Sequence, residues 1–387
     1  YQLIWTISNG TCTPHTDTVV INVFDQPNAI AGADQDLCNI YTTTLAGNTP
    51  PGTATGMWSM DPTHTQPSVV NFADATQFNT NISNLQEGTY QLIWTVSNGT
   101  CASDIDLVEI RVYNQPTSNA GLDQDLCNTY SSTLTANAPT GTATGFWLVD
   151  PNFNNPSFIV FSNITSPTSS ISNLQEGTYQ LIWILSNGSC TPSLDTIQIR
   201  VYDQPNATAG ADQDLCNVYT TTLTGNTPTG TATGMWTMDV AHTQPSVVTF
   251  ADATQFNTNI SNLQEGTYQL IWTMSNGTCT PDTDTVVINV YDQPNAIAGA
   301  NQNLCGTYST TLSGNIPSGT ATGMWAMNPA HIQPSIVTFV DATQFNTNIN
   351  NLQEGTYQLT WTMSNGTCTP DIDIVIINVY DEPNADA

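Results

Sequence analysis

Nine cysteines are the residues of this chain whose type and spacing point most clearly to chemistry. From Cys12 to Cys368 the gaps alternate strictly between a short one, as from Cys12 to Cys38, and a long one, as from Cys38 to Cys101. No CxxC motif accompanies any of them, which argues against a zinc site. We therefore interpret the cysteines as disulfide partners, which indicates an oxidising setting and hence an extracellular or cell-surface location.

Side chains that could perform acid, base or nucleophilic catalysis do not recur together in a pattern typical of an active site. Four similar segments of the sequence could have carried an equivalent histidine. Three of them have one, at His64, His242 and His331, but the fourth has Phe153 instead. Asp104 and Asp106 alternate along a predicted strand, which would place both on one exposed edge. No nucleophile elbow, phosphate-binding loop, HExxH motif or dinucleotide fingerprint is present. We predict that the protein is not an enzyme.

Charge narrows the possible partners further. The chain has 31 Asp and Glu against two Arg and no Lys, which gives a net charge of -29. We therefore expect no nucleic-acid partner, and anionic membrane surfaces are poor partners on the same electrostatic grounds. No apolar stretch approaches the length of a membrane-spanning helix, so no direct membrane insertion is expected.

An internal repeat of 89 residues organises the sequence. The segment NLQEGTYQLIW occurs at 84–94, 173–183 and 262–272, and with one change at 351–361. Such a period predicts a tandem array of small domains. The predicted boundaries are an incomplete repeat (1–28), repeats 1 to 4 (29–117, 118–206, 207–295 and 296–384) and the start of a further repeat (385–387).

Two disulfide pairings fit this period. Pairing across the longer gap closes a loop inside each repeat, which the chain-entropy model values at about 4 kcal/mol, and leaves Cys12 without a partner in the chain. Pairing across the shorter gap would join neighbouring repeats and leave Cys368 alone. We favour the first, because each repeat is then self-contained. It predicts Cys38–Cys101, Cys127–Cys190, Cys216–Cys279 and Cys305–Cys368.

Each repeat shows short strand patterns between turn signals and no helical periodicity. In repeat 1 the strand segments are AIAGADQDLC, TTTLAG, GMWSM, SVVNF, NTNISNL, YQLIWTVS and DLVEIRVY. Apolar residues alternate in the last two, as in a half-buried sheet, and Asn98-Gly99 suits the hairpin turn between them. The Glu87-to-Tyr90 segment is typical of a tyrosine corner. The sequence therefore predicts an all-β tandem array of seven-stranded, Ig-like β-sandwiches.

The joints between repeats read DQPN, NQPT or DEPN, and their prolines predict short, stiff connections and an extended rod. Near the first joint, Asp25, Asn28, Asp34 and Asp36 are close in sequence. Carboxylate and amide oxygens are ligands that Ca²⁺ prefers, so these four residues are calcium candidates. The alternative interpretation is that they are solvated turn and cap residues. No other cofactor is predicted.

Together, AGADQDLC, GMWSM, EGTYQLIWTVSNGTC and DLVEIRVY resemble the Ig-like or PKD-like repeats of giant secreted surface proteins of Bacteroidota-type bacteria, including adhesins and gliding-motility-associated proteins. The resemblance implies long extracellular stalks. It also implies a glycoprotein, because Asp-Thr-aliphatic sites are similar to the O-glycosylation motif of those bacteria. Such sites occur at Thr18, Thr196 and Thr285.

We therefore expect a cell-surface or extracellular fibre segment or adhesin stalk that provides reach and mechanical stability. Its expected partners are further copies of the same repeat, in the same polypeptide or in a neighbouring chain. The alternative function is a glycan-binding adhesive module, since exposed tryptophans on β-sandwiches can bind sugar rings. A spacer of a secreted polysaccharide-degrading enzyme is a more distant alternative.

Overall fold

The structure is a computed structural model, and it describes residues 1–384. The predicted start of a further repeat at 385–387 lies outside the described residues. All thirty regular elements in the described part of the chain are β-strands. No helix within residues 1–384 is long and apolar enough to span a membrane. The predicted all-β class is confirmed.

The chain begins with a two-stranded hairpin and continues with seven strands in repeat 1. The hairpin consists of β1 (Gln2–Ile7) and β2 (His15–Val20). The strands of repeat 1 are β3 (Gln35–Cys38), β4 (Thr43–Thr44), β5 (Thr55–Met60), β6 (Asn71–Phe72), β7 (Asn81–Ser83), β8 (Gly88–Ser97) and β9 (Asp104–Tyr113). Seven strands were predicted from the turn signals, and each lies within or next to its predicted segment.

Repeats 2 to 4 follow the same element order. Repeat 2 contains β10 (Gln124–Cys127), β11 (Ser132–Thr133), β12 (Thr144–Val149), β13 (Val160–Phe161), β14 (Ser170–Ser172), β15 (Gly177–Ser186) and β16 (Ser193–Tyr202). Repeat 3 contains β17 (Gln213–Cys216), β18 (Thr221–Thr224), β19 (Thr233–Met238), β20 (Thr249–Phe250), β21 (Asn257–Ser261), β22 (Gly266–Ser275) and β23 (Asp282–Tyr291). Repeat 4 contains β24 (Gln302–Cys305), β25 (Thr310–Ser313), β26 (Thr322–Met327), β27 (Thr338–Phe339), β28 (Asn346–Asn350), β29 (Gly355–Ser364) and β30 (Asp371–Tyr380).

Two sheets make up repeat 1, and repeats 3 and 4 repeat its topology. One sheet has the strand order β3-β9-β8-β5 and the other the order β4-β7-β6. The strand pairs are antiparallel except β3 and β9, which run parallel with Cys38 opposite Tyr113. This arrangement is an Ig-like sandwich, and the chain is a tandem array of such sandwiches.

A tryptophan pair forms the centre of each core. Trp58 on β5 lies directly opposite Trp94 on β8, and both side chains are buried, with ring centroids 5.0 Å apart. Leu92 and Val96 point into the same core because residues two apart on a strand share a face. The same pairing recurs as Trp147–Trp183, Trp236–Trp272 and Trp325–Trp361.

A tyrosine corner closes the loop before β8. The hydroxyl of buried Tyr90 accepts a hydrogen bond from the backbone N–H of Gln86 at 2.8 Å and lies 2.6 Å from the Ser68 hydroxyl. Equivalent bonds join Gln264 to Tyr268 and Gln353 to Tyr357. The corner fixes the loop that carries Glu87, the residue after Gln86, so it also positions that carboxylate.

By compactness the described chain divides into two units. The first comprises Tyr1–Gln124 and Thr129–Val201, and the second comprises Asp125–Asn128 and the described chain from Tyr202 onward. The first unit therefore holds the joint between repeats 1 and 2, and the second unit holds the joint between repeats 3 and 4.

Candidate functional site

Disulfides between consecutive repeats are the main chemical feature of the structure. Cys38 pairs with Cys190, Cys127 with Cys279 and Cys216 with Cys368, each across 152 residues. Each bond lies within one compact unit, yet it joins the first strand of one repeat to a hairpin turn of the next. The Cα atoms are 5.0 to 5.1 Å apart, which is a normal separation for a disulfide.

The predicted pairing inside each repeat is wrong. Cys38 ends β3 beside Tyr113, the last residue of β9, whereas Cys101 lies in the turn that precedes β9. Ten strand residues separate these positions, or about 30 Å at the usual rise per residue, while a disulfide needs Cα atoms within about 7 Å. For the same reason Cys127–Cys190, Cys216–Cys279 and Cys305–Cys368 do not form. Cys12, Cys101 and Cys305 carry no disulfide in the described residues.

The hairpin turn between β15 and β16 is the part of repeat 2 that contacts repeat 1 at the joint between them. Its Asn187 side-chain amide donates to the backbone oxygen of Asn114 at 2.9 Å. Gly188 has φ +49°, and a Cβ there would overlap the ring of Tyr113. Glycine is needed at this position both for the left-handed backbone and for the close approach of the ring. The turn and the end of β9 therefore fit each other closely.

Glu87 joins the two repeats by hydrogen bonds. Its Oε1 accepts from the Asn187 amide at 3.0 Å and from the backbone N–H and hydroxyl of Thr142 at 3.1 and 3.0 Å. Its Oε2 accepts from the Asn114 amide at 3.0 Å. Burial raises the pKa of the Glu87 carboxyl, but the hydrogen bonds outweigh burial and hold the pKa below its ordinary value.

Gln115 lies in the segment that connects repeats 1 and 2, and its side chain adds a further hydrogen bond to this joint. Its side-chain amide donates to the backbone oxygen of Thr191 at 2.8 Å, next to the disulfide. Tyr41 donates its hydroxyl to the Asn114 side chain at 2.9 Å, which holds the segment against repeat 1. The joint is therefore held by a disulfide and several hydrogen bonds and is not a flexible linker.

The joint between repeats 3 and 4 has the same parts. Glu265 accepts from Asn365 at 2.8 Å and from the N–H and hydroxyl of Thr320 at 3.2 and 3.0 Å. Burial raises the pKa of Glu265, and the hydrogen bonds again lower it overall below the ordinary value. Gln293 donates to the oxygen of Thr369 at 2.9 Å, and Tyr219 donates to Asp292 at 2.8 Å. The hydrogen bond to Asp292 raises the pKa of Tyr219.

Paired aspartates bind the entry segments of repeats 1, 3 and 4, and in repeat 2 Ser193 takes the place of the first aspartate. Asp104 accepts from the backbone N–H of Ala29 at 2.8 Å, and Asp106 accepts from that of Ala31 at 2.7 Å. Asp371 and Asp373 bind the corresponding amides of repeat 4. The alternation of these carboxylates was visible in the sequence, but their partners lie 75 residues away and were not predicted.

The four calcium candidates are not gathered into one site. Asp34 and Asp36 face Arg111, at 3.6 and 3.2 Å, and Asp34 also accepts from the backbone N–H of Glu109. Asp25 and Asn28 accept hydrogen bonds through their backbone oxygens. Among residues 1–384, no group of three or more His, Cys, Asp or Glu side chains could hold a metal ion.

The three glycosylation candidates are exposed. Thr18 lies on β2 of the N-terminal hairpin, and Thr196 and Thr285 lie on β16 and β23, where they point away from the core. The tryptophans proposed as a sugar-binding platform are buried in all four complete repeats, and Trp5 in the N-terminal hairpin is 68% exposed. A tryptophan platform is therefore not available on the complete repeats.

Comparisons with solved structures return arrays of Ig domains at low similarity. The N-terminal eight Ig domains of the Down syndrome cell adhesion molecule are 14% identical, with a TM-score of 0.45 over 98% of this chain. This chain spans about half (52%) of that structure. Titin domains I67–I69 are 14% identical, with a TM-score of 0.40 over 70% of this chain and 100% of that chain.

A PKD domain from the KIAA 1837 protein is 24% identical over 24% of this chain and 91% of that domain, with a TM-score of 0.21. No protein-family model matches the sequence. No curated protein matches it either.

Proposed function

We propose that this chain is a load-bearing segment of an extracellular or cell-surface fibre, built from Ig-like repeats that meet at the predicted joints. The observation that carries the proposal is the disulfide from each repeat to the next, seated on a hydrogen-bonded joint. Such a joint transmits orientation as well as tension. The resemblance to secreted bacterial surface repeats supports the role of a stalk.

The disulfides shorten the covalent path that tension follows along the chain. Cys127 lies between Cys38 and Cys190, and Cys216 lies between Cys127 and Cys279, so successive disulfide loops overlap along the sequence. The shortest covalent path runs through residues 1–38, 190–216 and 368–387 and bypasses the rest of the chain. At roughly 3.5 Å per residue, this path extends to about 300 Å, compared with about 1,350 Å for the open chain.

Single-molecule stretching tests the proposal directly. We expect the oxidised chain, held at its two ends, to reach its limit at about 300 Å, whereas the reduced chain should extend to about 1,350 Å. Disulfides within repeats would instead give a limit of about 490 Å. An oxidised chain that extends to either longer limit would contradict the proposed mechanical role of the joints.

Export and glycosylation belong to the same proposal. Disulfides persist in oxidising compartments, and the exposed hydroxyls of Thr18, Thr196 and Thr285 are accessible to a modifying enzyme. Mass spectrometry of non-reduced material from its natural source tests both points. Sugar mass on these threonines, together with a Cys38–Cys190 peptide, is the expected result. Free thiols throughout would contradict the extracellular assignment.

A further inference from the structure

The hairpin turn that contacts the preceding repeat contains an asparagine followed by a glycine. Asn187 precedes Gly188 in the turn between β15 and β16, and Asn365 precedes Gly366 in the turn between β29 and β30. In such a pair the backbone nitrogen of the glycine can attack the asparagine side chain, because glycine has no Cβ to obstruct the approach. The result of this attack is deamidation of the asparagine.

The joint between repeats 1 and 2 requires both members of the pair. The Asn187 amide donates to the backbone oxygen of Asn114 at 2.9 Å and to Glu87 at 3.0 Å, and an ionised carboxylate could make neither donation. Gly188 has φ +49°, and its missing Cβ leaves room for the ring of Tyr113. The contacts that hold the two repeats together therefore also place a reactive Asn-Gly pair at the joint.

In the closed joint the Asn187 side chain is protected from this attack. Its amide nitrogen makes the two hydrogen bonds described above, and its oxygen accepts from the hydroxyl of Thr142 at 2.7 Å. The side chain must leave these three partners before its carbon can meet the backbone nitrogen of Gly188. Asn187 is only 2% exposed, so the water that the reaction consumes is also kept away.

Asn365 is protected in the same way at the joint between repeats 3 and 4. Its amide donates to the backbone oxygen of Asp292 at 2.9 Å and to Glu265 at 2.8 Å. Its oxygen accepts from the hydroxyl of Thr320 at 2.7 Å, and the residue is 3% exposed. The chain therefore holds two matched copies of the arrangement.

We propose that the Asn-Gly pair is a self-modification site, which stays intact while its joint is closed and deamidates when the joint opens. A joint is open when the hairpin turn has left the end of the preceding repeat, for example under load or after reduction of the disulfide. This inference goes beyond the proposed function, because it concerns a covalent change of the chain and holds whatever opens the joint.

The reaction consumes one water and releases one ammonia. The backbone nitrogen of Gly188 forms a bond to Cγ of Asn187, the bond from Cγ to Nδ2 breaks, and Nδ2 leaves as ammonia with the proton of the backbone nitrogen. A cyclic imide remains. Water then adds to one of the two imide carbonyl carbons, the bond from that carbon to nitrogen breaks, and the nitrogen regains a proton. The product is aspartate or isoaspartate, and no oxidant or reductant is needed.

The product cannot bind the joint as Asn187 does. Its carboxylate has no proton to donate to the backbone oxygen of Asn114. It would also face the Glu87 carboxylate across the present hydrogen-bond distance of 3.0 Å, where two like charges repel each other. A joint that has opened and deamidated therefore closes less tightly than before, and the new carboxylate is a permanent mark of the opening.

The first test follows deamidation of the full chain in water labelled with heavy oxygen, which marks each newly formed carboxylate. Non-reducing peptide mapping compares Asn187 and Asn365 in the oxidised native chain and in the chain unfolded by denaturant. We expect both residues to convert at least about tenfold more slowly in the native chain, because reaction requires local opening. Equal rates in the two states would overturn the inference.

Two matched variants test whether the joint contacts provide the protection. Glu87→Ala should speed conversion of Asn187 about tenfold, the effect of one hydrogen bond to a charged group, and leave Asn365 unchanged. Glu265→Ala should speed conversion of Asn365 and leave Asn187 unchanged. Variants that speed neither asparagine, or that speed both equally, would overturn the inference.

A second experiment measures whether a modified joint closes. Asn187→Asp introduces the product directly, so we expect faster amide hydrogen exchange at residues 186–191 and an unchanged rate at 364–369, the equivalent turn of repeat 4. Combining Asn187→Asp with Glu87→Gln gives the new carboxylate a donor and should restore slow exchange. Exchange that stays slow in Asn187→Asp, or that Glu87→Gln does not restore, would overturn the inference.

The same peptide map separates this inference from the proposed function. If the Cys38–Cys190 and Cys216–Cys368 peptides are present and the two asparagines are not protected, the self-modification is wrong and the load-bearing joints stand. If those disulfide peptides are absent, the proposed function fails.

Discussion

Cys38 and Cys190 are 152 residues apart in the sequence, and their Cα atoms are 5.0 Å apart in the structure. The first residue closes the parallel strand pair of repeat 1, and the second lies in the hairpin turn of repeat 2. Their bond encloses almost two repeats of chain. Disulfides of this kind fix the position of one repeat against the next. Each core is stabilised separately, by its own buried tryptophans, tyrosine and aliphatic residues.

Removing this bond should destabilise the first two repeats together. We expect Cys38→Ser to lower their free energy of unfolding by about 5 kcal/mol, the chain-entropy value for a loop of this length. Calorimetry of the oxidised protein measures the change. Cys305→Ser is the matched control, because Cys305 is exposed and carries no disulfide within residues 1–384. Equal effects of the two substitutions would contradict the assigned pairing.

Glu87 should order the hairpin turn of repeat 2. Glu87→Ala removes the acceptor of Asn187 and Thr142, so we expect faster amide hydrogen exchange in the turn at residues 186–191. Glu354→Ala is the matched control, since Glu354 occupies the same position in repeat 4 and is exposed. An unchanged exchange rate in Glu87→Ala would show that the disulfide alone orders the joint.

The joint should weaken in acid. The pKa of Glu87 is lower in the folded joint than in the unfolded chain, so its contribution is complete above the ordinary glutamate pKa of about 4.3. That contribution decreases as the pH falls through the lower, folded value. Hydrogen exchange at the Asn187 turn, measured against pH and corrected for the intrinsic rate, should report this loss. In Glu87→Gln the side chain does not titrate, and the pH dependence should be absent.

Gly188 should tolerate alanine much less well than Gly10. Both residues have positive φ, so each Gly→Ala change costs about 1 kcal/mol of backbone strain. At Gly188 the new Cβ also overlaps the Tyr113 ring, which should add about 1–3 kcal/mol. Thermal unfolding of the two variants measures the difference. Equal losses would contradict the expected cost of overlap between the new Cβ and the Tyr113 ring.

The strand content and the core of each repeat could be predicted from the sequence. Alternation of Leu92, Trp94 and Val96 on one strand decides which face is buried, because neighbouring side chains point to opposite sides of a sheet. Asn98-Gly99 marks the turn, and the regular recurrence of NLQEGTYQLIW marks the array. These are local properties, so they can be read from neighbouring residues.

The joint could not be predicted in this way. Spacing predicted that Cys38 bonds Cys101, since both belong to one repeat, but spacing along the chain carries no information on the end of a sheet at which a residue lies. The parallel pairing of β3 with β9 places Cys38 beside Tyr113, at the opposite end of β9 from Cys101. The partners of Glu87 in repeat 2 and the partner of Asp104 were not predicted for the same reason, since they lie 55 to 100 and 75 residues away, respectively.

By itself, therefore, the sequence determined the all-β class, the seven-stranded repeat and its tryptophan core, because hydrophobic alternation and turn residues act over a few positions. Only the tertiary structure decided which cysteines meet and which carboxylates bind across a joint. Those contacts depend on strand direction and on how one folded repeat sits on the next, and a disulfide forms only where this geometry brings two sulfur atoms together.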